Sequence, residues 1–126
     1  MNRSIEELLE GPLLRPIYEA ITRYGALPDY PSDARDFLQR QLDEFVGTDE
    51  QFVSYIRSKS GEWFRSAAGL PPWIQEAEWQ YADGRPMLYV GYVGLPENSG
   101  WLHDEARFFV FWSPELGMTK VVIQVS

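Results

Sequence analysis

Apolar positions follow two different periods along the chain. Up to Gly69 they recur every three or four residues, as on one face of a helix; after Pro72 they alternate, as on one face of a strand. The first regime predicts four helices. Ser4 followed by Glu7 has the spacing of a capping box, Ile5, Leu8 and Leu9 form an apolar face, and Gly11 with Pro12 closes the segment. A second helix takes Pro16 into its first turn and runs to Gly25 behind Ile17, Ala20, Ile21 and Tyr24. Ser32 caps a third, with Ala34, Phe37, Leu38, Leu42 and Phe45 in helical period and Gly47 placed to end it. Thr48 with Gln51 repeats the capping box for a fourth, whose stripe of Phe52, Val53, Ile56, Ser60, Trp63, Phe64 and Ala67 reaches Gly69 and the two prolines. The last two helices are expected to form a hairpin, with Trp63 and Phe64 as core residues because each buries a large apolar area.

The second regime predicts a sheet. Trp73, Ala77, Trp79 and Tyr81 alternate with Ile74, Glu76, Glu78 and Gln80, so a strand here turns its tryptophans inward and its glutamates to water. Asp83-Gly84 supplies a tight hairpin turn, since both positions tolerate positive φ. Pro86 to Val93 and Ala106 to Ser113 are apolar on both faces and read as central strands. In the first, Leu88, Val90 and Tyr92 oppose Met87, Tyr89 and Val93; in the second, Phe108, Val110 and Trp112 oppose Phe109 and Phe111. Thr119 to Ser126 alternates again. The expectation is an α+β fold: about four N-terminal helices, then a four-stranded antiparallel β-meander with the helices packed on one face. Residues 1–126 are read as a single domain, with a helical half to residue 69 and a sheet half from residue 70. The far face of that sheet carries aromatics and calls either for a covering loop or for an interface.

Charge narrows the partners. The chain has 19 acidic and 11 basic residues, a net charge of −8, which opposes binding to nucleic-acid phosphates or anionic lipid. The absence of cysteine excludes disulfides, thiolate metal sites and cysteine nucleophiles. No stretch nears the roughly 20 apolar residues that span a bilayer, and the acidic N-terminus lacks the apolar core of a signal peptide; the expected location is cytoplasmic.

Candidate chemistry is sparse. His103, Asp104 and Glu105 are adjacent and so diverge in direction, although Glu76 and Glu78 share a strand face and could join His103 as a metal or acid–base set. Gly94 to Gly100 lacks the spacing and the lysine of a phosphate loop, and no nucleophile elbow is present. No cofactor is expected.

The segment PPWIQEAEWQYADGRPMLYVGYV, followed by FFVFWSPELGMTKVVIQV, resembles a pattern in small bacterial proteins similar to the YwqG-type domain. There a W.Q..EWP...G.PM.F.GQ hairpin precedes an aromatic strand and a strand ending in glutamine. The resemblance spans roughly the C-terminal 55 residues, with Gln80 where the pattern has proline and Tyr92 where it has glutamine. It implies an immunity-like role, in which a small acidic protein neutralises another protein by surface complementarity, and it carries over no catalytic residue.

The reading that combines these points is a non-enzymatic binding protein, immunity-like or regulatory, whose acidic surface meets a basic partner protein. Glu76, Glu78, Asp83, Asp104 and Glu105 would steer the encounter and Trp101 would supply an apolar anchor. A homodimer is left open. The alternative is a small-ligand-binding or hydrolytic domain using the aromatic sheet face and His103.

Overall fold

The computed structural model describes residues 3–22, 24, 32–96 and 104–126. Four helices precede five strands: α1 (Ile5–Glu10), α2 (Leu14–Thr22), α3 (Asp33–Glu44), α4 (Asp49–Trp63), β1 (Tyr81–Ala82), β2 (Arg85–Pro86), β3 (Leu88–Leu95), β4 (Ala106–Ser113) and β5 (Met118–Val125). The fold is α+β, as the two periods predict. The strands form a three-stranded antiparallel sheet in the order β3-β4-β5 and a separate two-stranded hairpin, β1-β2, in place of one four-stranded meander.

Helix starts follow their caps. The Ser32 side chain accepts from the Arg35 N–H, and Thr48 and Gln51 form both bonds of the capping box that opens α4. Asp33, Asp36, Asp49 and Glu50 lie in the first turns of α3 and α4, where the helix dipole favours negative charge. At Ser4 the side chain makes no cap bond. Ends are less faithful to the pattern. α3 stops at Glu44, before Gly47, and α4 stops at Trp63, four residues short of Ala67, the last member of its expected stripe. The reason lies in the sheet: the Arg65 carbonyl accepts from the Tyr89 N–H and the Ala67 N–H donates to the Tyr89 carbonyl, which draws residues 65–67 off the helix and onto the outer edge of β3.

The expected α3–α4 hairpin does not form along its length. α4 packs chiefly on α2, and α3 meets α4 at its far end, where the Phe37 and Trp63 rings stand edge to face at 5.1 Å. Arg3 secures the connection between the two, its guanidinium donating to the Phe45 and Gly47 carbonyls and to Asp49.

Trp73 to Gln80 is not a strand. The place expected for it beside β3 is taken by residues 65–67, and the segment crosses instead between the helices and the inner face of the sheet. Both tryptophans do face the core. The Trp73 ring lies 4.6 Å from that of Phe109, while Trp79, 5% exposed, touches Tyr24 and Phe64 on the helical side and Tyr89 and Phe111 on the sheet side. One apolar cluster thus joins residues from α1 to β4.

In β3 a bulge between Tyr89 and Gly91 corrects the expected faces. Two residues there oppose one on β4, so Tyr89 and Tyr92 share the inner face while Leu88 and Val93 point outward. β4 alternates as predicted: Phe109 and Phe111 are fully buried inward, and Phe108, Val110 and Trp112 face outward. β4 is the middle strand of the three, and β3 is bordered on its other side by the bridge from residues 65–67.

Candidate interaction surface

Two buried or half-buried polar side chains organise the end of the sheet. Gln124, on the inner face of β5, is completely buried. Its Oε1 accepts from the N–H groups of Ile74 at 2.8 Å and Gln75 at 2.9 Å, and its Nε2 donates to the Glu76 carbonyl at 2.7 Å and to Glu78 Oε2 at 3.5 Å. Directly across on β4, Arg107 bonds Glu105 through Nε at 2.9 Å and Nη2 at 2.7 Å, donates to the Pro72 carbonyl and lies over the Tyr92 ring. The Gln75 side chain reaches the Val125 carbonyl, and Ser126 bonds the Glu105 backbone.

These contacts bring Glu76 and Glu78, from the crossing segment, to the same end of the sheet as Asp104 and Glu105, which precede β4. Glu76 and Asp104 are exposed; Glu78 and Glu105 are half-buried. Asp83 lies elsewhere. It occupies the β1–β2 turn with φ +50°, followed by Gly84 at +72°, as the tight turn requires. Trp101 and His103 lie outside the described residues. Sequence reasoning missed both organisers, Gln124 and Arg107. A glutamine in an alternating strand was the one visible signal, because a polar residue on an inward position has to find buried partners.

The turn at Asp83 borders a cleft of about 570 Å³ between α3, α4 and the hairpin, walled by Phe37 and Trp63. Two of its three arginines, Arg40 and Arg65, hold the hairpin. Arg40 donates to the Gly84 carbonyl, and Arg65 donates to the Pro86 carbonyl and pairs with Glu115 at 3.0 Å. Glu115 is held below the ordinary carboxylate value by a hydrogen bond from its own backbone and by the Arg65 side chain. Among the described residues no group of histidine and carboxylate side chains is arranged to hold a metal ion. On the inner aromatic face Tyr89, Phe109 and Phe111 are each at most 1% exposed, whereas Tyr92, stacked on Phe109, is 48% exposed.

No family model, curated protein or solved structure matches the chain. No helix among the described residues is long and apolar enough to cross a membrane.

Proposed function

We propose that the protein is a non-enzymatic binding protein, immunity-like or regulatory, that meets a basic partner protein at the acidic end of its sheet. One observation carries this reading: Gln124 bonds the Glu76 backbone and the Glu78 carboxylate, and Arg107 pairs with Glu105, next to Asp104 in sequence, so acidic residues from separate chain segments lie at one end of the sheet. Carboxylates clustered in this way on a chain of net charge −8 accelerate encounter with a positively charged surface and orient it. Trp101 and Asp83 are not required by this surface.

The test reverses charge where the fold is indifferent. Glu76→Lys with Asp104→Lys alters two exposed side chains and is expected to leave the melting temperature unchanged. Partners captured from the source cell by the wild type should be lost from the double variant. Association should also slow as ionic strength rises from about 0.01 to 0.15 M, where the Debye length falls from about 30 to 8 Å. Equal capture and equal association rates for both proteins at every salt concentration would overturn the proposal.

A further inference from the structure

The outer face of the three-stranded sheet is unlike the rest of the surface. Its rows are set by the register: Val93, Phe108 and Ile123; Gly91, Val110 and Val121; Leu88, Trp112 and Thr119. None of these residues is charged, on a chain with 30 charged residues among 126. Val93 is 61% exposed, Ile123 57% and Val121 54%, and Trp112, with its larger area, is 36% exposed. The helical half does not cover them, because its residues pack with Tyr89, Phe109 and Phe111 on the opposite side.

We infer that this face is an interface between two copies of the chain. Charge decides the occupant. A basic partner finds no counter-charge here, since the carboxylates gathered by Gln124 and Arg107 belong to the inner side and the end of the sheet. A second copy presents an identical uncharged surface, so pairing strands no charge on either side. Geometry agrees: two sheets stack face to face about 10 Å apart with strands within about 30° of parallel, and a two-fold axis makes the contact self-complementary. Three strands of eight residues cover roughly 27 by 14 Å, or about 400 Å² of footprint per copy, at strand rises of about 3.4 Å and spacings of about 4.8 Å. The total of about 800 Å² lies below the roughly 1,200 Å² of stable specific interfaces and in the range of transient ones, so the dimer is expected to dissociate on dilution.

Salt dependence separates this contact from binding of a basic partner. Two chains of charge −8 repel, so the dimer should tighten as salt screens them, by about threefold or more between roughly 0.05 and 0.5 M. A basic partner, in contrast, should bind more weakly. Sedimentation velocity between about 1 and 300 μM, spanning the range expected of a small interface, should show mass rising from 14.6 kDa toward twice that value. Val121→Glu with Ile123→Glu should remain monomeric, with its melting temperature as the control for folding. Thr119→Glu, which leaves every apolar side chain in place, should weaken the dimer as a second variant. A wild-type mass of 14.6 kDa at all concentrations and salts would overturn the inference, as would a dimer that persists undiminished in folded variants.

Discussion

Ile74 and Gln124, 50 residues apart in sequence, are joined by a 2.8 Å hydrogen bond from the Ile74 N–H to the Gln124 carboxamide oxygen. The side-chain amide takes the part of a neighbouring strand. It accepts from two consecutive backbone donors and returns a donor to the Glu76 carbonyl, so the crossing segment is satisfied without joining the sheet.

Gln124→Leu leaves those groups without partners in a buried site and should cost about 3 kcal/mol in urea denaturation. Gln124→Glu separates the two roles of the amide. The carboxylate still accepts from Ile74 and Gln75 but faces the Glu76 carbonyl and the Glu78 carboxylate, which disfavours its ionised form and raises its pKa in the fold. The added penalty should therefore be absent below the ordinary carboxylate range and grow as pH rises through it. A stability difference from wild type that is flat with pH would refute this account.

The β1–β2 turn makes a second measurable demand. A Cβ at Gly84 would overlap the Arg40 guanidinium, and φ there is +72°. Gly84→Val should lose more than about 1 kcal/mol through backbone strain alone. Adding Arg40→Ala removes the overlap and leaves the strain, so in a double-mutant cycle the second substitution should cost less in the variant than in the wild type.

Tyr81 points to a stabilising change. Its hydroxyl is buried with no hydrogen-bond partner among the described residues, and burial first, then the Asp33 charge, pushes its pKa above the ordinary tyrosine value. Tyr81→Phe keeps the ring against Phe37 and removes the unpaired group. A gain of about 1 kcal/mol is expected; a loss of that size would show that the hydroxyl makes a favourable contact in solution.

Thr48 and Ser4 look alike in the sequence, each followed three residues later by Gln or Glu. Thr48→Ala should cost about 1 kcal/mol because both capping-box bonds are made, whereas Ser4→Ala should fall within about 0.5 kcal/mol because its side chain caps nothing. Equal losses on thermal melting would contradict the difference.

That pair illustrates how far the sequence is legible. Local signals transferred well: the periods located four helices, β4 lies at the residues its apolar run marks, and Asp83-Gly84 closes the turn. Long-range competition was not legible. Alternation from Trp73 to Tyr81 describes which side chains are buried but does not choose between a backbone ladder and the Gln124 carboxamide. Nothing in Arg65 to Ala67 announces that these residues leave a helix to pair with Tyr89. The bulge at Gly91 changes the facing of Tyr92 and Val93 by inserting one residue, a shift invisible to period counting. Of the candidate site residues, the carboxylates were visible as types, but the crossing segment that carries Glu76 and Glu78 is placed by Arg107 and Gln124, whose bonds to Pro72 and to Ile74, Gln75 and Glu76 span 35 to 50 residues.

The span between Ile74 and Gln124 also sets a delay during synthesis. At about 5–20 residues per second, roughly 3–10 s pass between translation of the crossing segment and translation of the glutamine that holds it. For about the first two thirds of that interval Trp73 and Trp79 lack the Phe109 and Phe111 rings, and for all of it they lack the amide anchor, while the helical half is already complete in sequence. The helical half can offer Trp79 only the Tyr24 and Phe64 rings until the sheet residues emerge, so codons that slow translation between positions 74 and 124 would lengthen the exposure of the sheet-facing sides of both indoles.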